Sequence, residues 1–485
     1  MGGQPPQTGS ASPGFPFAGA ACTLPRTPFT ARARILAGTT FKGKTMAAIG
    51  GSDTFLLFSD VHFNPFADPS LVPALAAADV SQWKTILASS SQTGYPAYGS
   101  DSNYVLFEST LDDMAGRAGD VDLILYPGDI LGHNFGANYV ALTGDSSQAG
   151  YESFVLKTVQ FFVQEVDSRF PDATVLVADG NCDTDAVPNG IGARPGDAYL
   201  ASTAPVIAQA FFNNDADRAA FTAGYSQAGY YVLEPDGPTG LKYLVLNSNL
   251  WISEYDDPTA GAMEMAWFAS ELADSARDFQ KVWVLGHIPP GTAASGVVSS
   301  YAQTGQIAYQ GNMEDTFNNA FVSLELAYSS TIAATFAGHT HSDDFRLLTA
   351  MDGSDASELV RIAPGISLFL GGNPGYQIYS YDAQTFALQD ETTYVLDVGA
   401  SKPAWSLEYD YAASYGVGLA TPQEWQAAYL AVLANPASQT TYLSALNQGA
   451  DNQTAVTAAV APIYLMTPGL TTPASFNAVG AVLAG

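Results

Sequence analysis

All five histidines of this chain sit in short strings with glycine, aspartate or threonine, a setting typical of metal ligands. In chain order the strings are Asp60-Val61-His62, Gly128-Asp129 with His133 four residues on, Gly286-His287, and Gly338-His339-Thr340-His341. Gly180-Asn181-Cys182-Asp183 completes the series without a histidine. Neutral imidazole and carboxylate oxygen suit borderline divalent ions such as zinc, iron or manganese. One isolated histidine is most simply a satisfied polar side chain at a strand end. Five in this order, with none elsewhere, point to a metal-centred site.

The elements that must position these residues are legible beside them. Apolar runs at 54–58, 121–126, 174–177, 282–285 and 331–336 each stop just before one of the strings. Short apolar runs bounded by Gly, Asp and Pro predict strands buried on both faces. Each candidate ligand therefore falls at the carboxyl end of a strand, where layered α/β proteins bind their ligands. The glycines before Asp129, Asn181, His287 and His339 are expected to let the backbone turn sharply there. Val155, Val159, Phe162 and Val166 recur at helical spacing, as do Met265, Phe268 and Leu272, so both stretches predict helices laid on a sheet.

Longer strings carry a family resemblance. They are Gly128-Asp129-Ile130 with His133, Leu246-Asn247-Ser248-Asn249-Leu250, Gly286-His287-Ile288-Pro289-Pro290-Gly291, the Gly338–His341 string followed by Asp344-Phe345, and Asn373-Pro374-Gly375-Tyr376. With the ligand series they resemble the calcineurin-like metallophosphoesterases, and within these acid sphingomyelinase and its phosphodiesterase relatives. The resemblance runs from about residue 54 to about residue 400. It implies an α/β fold of two facing mixed sheets flanked by helices (an αββα sandwich) with a small helical C-terminal region. The runs within 358–397 are expected to extend the second sheet.

The same resemblance implies a site. One divalent ion would take Asp60, His62 and His341, the other Asn181, His287 and His339, with Asp129 bridging them. Zinc is the first expectation, manganese or iron the alternatives. The implied reaction is hydrolysis of a phosphodiester by a metal-bridging hydroxide attacking phosphorus in line. A phosphomonoesterase or polyphosphatase on the same scaffold is the alternative. Many relatives carry a histidine directly after the ligand asparagine to protonate the leaving group, whereas Cys182 stands there here. A thiol near two cations tends to ionise and is no equivalent acid. His133 is therefore the expected general acid. Asp183 is expected to orient its loop, and Asn247 and Asn249 either to line the cleft or to form turns.

Composition bounds the partners. Forty-seven acidic residues against seventeen Lys and Arg give a formal charge of −30, which argues against nucleic acid and anionic membranes as electrostatic partners. A small-molecule or lipid phosphoester must then be drawn locally by the metal ions. No stretch approaches the roughly eighteen apolar residues of a membrane span, so a lipid substrate implies peripheral membrane contact only. The two cysteines, Cys22 and Cys182, make no disulfide framework, a departure from the disulfide-rich animal relatives. The family resemblance suggests an extracellular or lysosome- or vacuole-like location, although no clear signal peptide opens the chain.

Three regions follow: a leader at 1–52, a catalytic domain at 53–400 and a helical region at 401–485. The leader lacks Asp and Glu, holds five of the seventeen basic residues, and opens on a Pro/Gly/Ser-rich stretch that predicts disorder. It reads equally as an organelle transit peptide or as sequence upstream of a start at Met46. Beyond 400 the chain is Ala-rich, and Thr421-Pro422-Gln423-Glu424 reads as a capped helix start. The 52 leading residues are too few and lack the cysteines for the saposin-like domain of acid sphingomyelinase, so no counterpart of it is expected in this sequence. A chain beginning at Met46 is expected to fold and hydrolyse as the full chain does, and a large drop in melting temperature on truncation would overturn that.

Overall fold

The computed structural model describes residues 52–186, 191–235, 240–255, 257–350, 356–450 and 460–483; the leader expectation, and any bridge to Cys22, lie outside them. The apolar runs become strands because both of their faces are covered. Phe55, Leu56, Leu57 and Phe58 are fully buried, as are Ile124 and, to within 1%, Val175, Leu176 and Val177. In chain order the strands are β1 (Ser52–Leu57), β2 (Leu123–Tyr126), β3 (Thr174–Val177), β4 (Tyr231–Leu233), β5 (Leu241–Val245), β6 (Lys281–Leu285), β7 (Ile332–Ala337), β8 (Asp344–Thr349), β9 (Ser357–Ile362), β10 (Gly375–Asp382), β11 (Leu388–Leu396) and β12 (Trp405–Asp410).

They form two six-stranded sheets, ordered β12-β11-β10-β1-β2-β3 and β4-β5-β6-β7-β9-β8. In the first, β1, β2 and β3 are parallel, and β10, β11 and β12 continue antiparallel. In the second, β5, β6, β7 and β9 are parallel, with β4 and β8 antiparallel at the edges. The two mixed sheets face each other through aromatic side chains. Phe55 of β1 lies 4.8 Å from the Trp283 ring of β6, 5.5 Å from Phe336 of β7, and stacks on Tyr379 at 5.0 Å. Arg361 of β9, also buried, pairs with Glu391 of β11 at 2.5 Å and so ties the second sheet to the first.

Helices cover the sheets. Gln148–Arg169, capped by Ser147, buries Val155, Val159, Phe162 and Val166 as the spacing predicts. Pro258–Arg277, capped by Asp257, buries Phe268 and Leu272, with Met265 partly covered. Among the described residues no helix is long and apolar enough to cross a membrane.

Two expectations need correction. Only β9 of the 358–397 stretch joins the second sheet, whereas β10 and β11 belong to the first. The physical reason is the free edge of β1. β2 occupies one side, and β10 zips onto the other from Ser52↔Asp382 to Leu57↔Gln377. The helical character also begins later than residue 400, since β12 extends the first sheet. Beyond it, Thr421 caps Pro422–Ala434 as its sequence indicates, accepting the Glu424 N–H while its hydroxyl donates to the Glu424 carboxylate. Gln448 reaches back from this region to donate Nε2–H to the His341 carbonyl at 3.1 Å.

Phe55 joins the sheets on the strand that leads to Asp60. Phe55→Ala is expected to lose about 3–5 kcal/mol of stability, the usual range for emptying a buried aromatic position. Urea denaturation checks this, and an unchanged midpoint would show that the stack contributes little.

Candidate metal centre

Every predicted ligand lies just past a strand end. Residues after β1, β2 and β3 supply Asp60, His62, Asp129 and Asn181 from the first sheet; those after β6 and β7 supply His287, His339 and His341 from the second. The turns are sharp and strained. Nine non-glycine residues among those described have positive φ, and five of them are candidate ligands: Asp60 (53°), His62 (43°), Asp129 (63°), His339 (71°) and His341 (55°). L side chains rarely adopt this region, and such residues concentrate at functional sites where neighbouring bonds over-determine them. Here Asp60 N–H donates to Gly128 O (3.0 Å), His62 N–H to Asp129 O (2.9 Å), and His339 N–H to both Asp60 oxygens (3.1 Å each).

The glycines work differently from expectation. Gly128 does turn at positive φ (123°), but Gly180 matters because a Cβ there would collide with Asp129 Oδ1. Gly286 has room for a side chain, its nearest neighbour being 3.6 Å from a built Cβ, so the turn argument does not apply to it. Asp183 does orient its loop. Its Oδ1 accepts from Ile130 N–H (2.8 Å) and Leu131 N–H (3.0 Å), and its Oδ2 from Asp129 N–H (2.9 Å) and Gly180 N–H (3.1 Å). One buried carboxylate thus locks the Asp129 loop to the Asn181 loop.

The donors fall into two groups. His62 Nε2 lies 3.1 Å from His341 Nε2, and His341 Nε2 lies 3.5 Å from Asp60 Oδ1. Asn181 Oδ1 lies 2.9 Å from His287 Nε2 and 2.7 Å from His339 Nδ1. Asp129 Oδ2 lies between the groups, 3.3 Å from His62 Nε2 and 3.4 Å from His287 Nε2. Donors around one ion at about 2.1 Å are separated by roughly 3.0–3.4 Å, and the spacings here, from 2.7 to 3.5 Å, bracket what first-row divalent ions need. Asp60, His62, Asp129, His287 and His341 are all buried.

The titration of these groups follows their surroundings. Burial lowers His339 and His341 to about 4 and also lowers His62, which favours the neutral imidazole a metal needs. For His287 burial acts downward too, but the Asp129 carboxylate outweighs it and raises the group to about 9. Burial opposes the charge on Asp129, yet the His287 and His62 imidazoles hold it far below the carboxylate range. Burial and then Asp129 push Asp183 up to about 7.

His133 stands at the rim of this group. Its Nδ1 lies 2.8 Å from Asp101 Oδ1, and its ring is stacked between His62 (4.1 Å) and Phe369 (3.7 Å). Burial lowers its pKa, but the Asp101 hydrogen bond together with the negative charges of Asp101, Asp129 and Asp60 outweighs it, and the net shift is upward. Cys182 is near enough for a ligand atom of His62, of His133 and of Cys182 to lie within 4.8 Å of one another. Burial, and after it the Asp129 carboxylate, push the Cys182 thiol well above its ordinary range, so the protein groups themselves do not favour a thiolate. Its N–H donates to Asp129 Oδ1 at 2.7 Å.

Asn247 and Asn249 do not line the cleft. Both are fully buried, Asn247 donating to the Ala193 and Ala228 carbonyls and Asn249 to Asp179 O. Asp101 and Phe369 are the neighbours that sequence reasoning missed. Asp101 sits beside the helix cap Asn103, where an aspartate reads as turn chemistry, and nothing local ties it to His133.

The profile of the family described as calcineurin-like phosphoesterase matches residues 54–343. Human acid sphingomyelinase-like phosphodiesterase 3b is 25% identical over 337 residues, covering 66% of this chain and 67% of that protein. Sphingomyelin phosphodiesterase B of Dictyostelium discoideum is 26% identical over 343 residues, covering 67% of this chain and 48% of that protein. Among solved structures, purple acid phosphatase PPD1 from yellow lupin (Lupinus luteus) seeds aligns over 73% of this chain and 53% of its own, at 12% identity and a TM-score of 0.39. The profile spans well over half of the chain, and the chain belongs to the calcineurin-like phosphoesterases, metal-dependent enzymes, as a relative of the sphingomyelinase-like phosphodiesterases.

Proposed function

We propose that this protein is a dinuclear-metal hydrolase of phosphodiesters, with zinc as the preferred ion. Asp60, His62 and His341 would hold one ion, Asn181, His287 and His339 the other, and Asp129 would serve both. The observation that carries this reading is the division of the donors into two groups meeting at Asp129 Oδ2. Bound there, two divalent ions supply a Lewis-acid clamp on the phosphoryl oxygens and an acidified water as nucleophile.

The chain supplies orientation and a proton. His62 Nδ1 bonds Leu131 O at 2.9 Å and His287 Nδ1 bonds Pro127 O at 3.1 Å. A carbonyl requires a donor, so each ring keeps a proton on Nδ1 and presents Nε2 to the centre, where it would serve a metal once deprotonated. His133 protonates the departing oxygen, a role supported by its place beside His62 and its raised pKa. Relatives named as sphingomyelin phosphodiesterases support a diester, including a phospholipid head-group ester, as the substrate class. Cys182, in place of the histidine that follows the asparagine in many relatives, favours a second reading as a phosphomonoesterase or polyphosphatase. Bis(p-nitrophenyl) phosphate and p-nitrophenyl phosphate assayed side by side discriminate the two; turnover of the monoester alone would overturn the diester reading.

Purified protein is expected to carry about two divalent ions per chain, and Asp129→Ala to lose both metal and activity, because one carboxylate serves both ions. Metal analysis checks this, and full occupancy in the variant would sink the ligand assignment. His133→Ala is expected to slow alkyl esters by about 10²–10⁴-fold, and nitrophenyl esters far less because they depart unaided. Equal slowing of both, with metal content unchanged, would remove His133 from the acid role.

A further inference from the structure

The aspartate that meets His133 is bonded more extensively than a turn requires. Asp101 is 7% exposed, and both its oxygens are engaged with His133: Oδ2 accepts the main-chain N–H at 2.7 Å, and Oδ1 lies 2.8 Å from ring Nδ1. Ser367 Oγ donates to Oδ1 at 3.1 Å. A Cβ at Gly132 would stand 3.1 Å from Oδ2, so the glycine leaves space for this approach. The Oδ2 bond alone would suffice to cap the turn before Asn134. The Oδ1 contact to the ring and its support from Ser367 serve the imidazole. Phe369 covers one face of that ring at an interplanar angle of 11°, and His62 the other at 25°.

We infer that Asp101 is the positioning residue for His133, buttressed by Ser367 and Phe369, fixing Nδ1 as the donor to its carboxylate and leaving Nε2 as the one nitrogen for the leaving group. This inference rests on the acid role proposed for His133. As the bond from phosphorus to the leaving oxygen breaks, its electron pair stays on that oxygen and takes the proton from His133 Nε2. His133 ends neutral with Nδ1–H still on Asp101, which remains a carboxylate throughout. Water returns the proton to Nε2 before the next turnover. A carboxylate acceptor excludes the tautomer that would put the proton on the wrong nitrogen, the general logic of an oriented acid–base histidine.

The test uses the full-length, metal-loaded protein and the ratio of kcat/KM for a nitrophenyl diester to that for an alkyl diester. Asp101→Asn keeps the shape but lets an amide donate to Nδ1, and should raise that ratio by about 10–10²-fold with metal content unchanged. Ser367→Ala, a gentler change, should raise it in the same direction by a few-fold, which keeps the inference testable should Asp101→Asn fold poorly. In His133→Ala, adding Asp101→Asn should change the ratio no further, because residues acting through one group are not additive. Selective slowing in His133→Ala without it in Asp101→Asn and Ser367→Ala would overturn the inference while leaving the acid role intact. An additive effect in the double variant would overturn it too. If His133→Ala shows no selectivity, the acid role fails first and this inference falls with it.

Discussion

The arrangement of this protein turns on one oxygen. Asp129 Oδ2 is the atom at which two sets of donors meet, one on each side, and the surrounding bonds keep that oxygen in place. Its partner Oδ1 is taken by the Cys182 N–H, its own N–H by Asp183, and its carbonyl by the His62 N–H and the Tyr126 hydroxyl. Sheet packing then matters at long range. Asp129 and His62 follow strands of the first sheet, whereas His287 follows one of the second, so the aromatic contacts of Phe55 with Trp283 and Phe336 set the distance between the halves of the site. Stability and chemistry here share one interface.

How much of this could be read from the chain depends on how local each feature is. The strands leading to Asp60, Asp129, Asn181, His287 and His339 were legible because a doubly buried strand needs an unbroken apolar run, and a turn residue must end it. The sheet that β10 and β11 join was not, because pairing of β1 with β10 spans more than three hundred residues and alternation alone does not choose between two sheets. Gly180 was noticed for the wrong reason. It gives space to a carboxylate rather than a bend to the backbone, and only the folded neighbour reveals this. Asp101 left no signal for the same reason, being thirty-two residues from the histidine it meets.

Electrostatics gives the clearest reason why such a site should be built to take cations. Asp60, Asp129, Asp179 and Asp183 are all buried within a few residues of the donors. Burial, with neighbouring carboxylates adding to it, raises Asp179 well above its ordinary range and Asp183 to about 7. A cluster of desolvated carboxylates is unfavourable until positive charge is placed among them. Divalent ions are the strongest local charges a protein can hold, and they relieve repulsion that imidazoles and amides only partly offset. The formal charge of −30 strengthens this, since few cationic side chains remain to perform the task.

Cys182 serves the site through its main chain. The residue after Asn181 contributes its main-chain N–H to Asp129 Oδ1, and any amino acid but proline can do that. The side chain makes one long contact of its own, accepting from Asn181 Nδ2–H at 3.5 Å. Burial and Asp129 push the Cys182 thiol up, away from the neutral range in which an imidazole ordinarily titrates. The imidazole at the rim, His133, is clasped by a carboxylate and by rings on both faces, the seating that the acid role proposed for it requires.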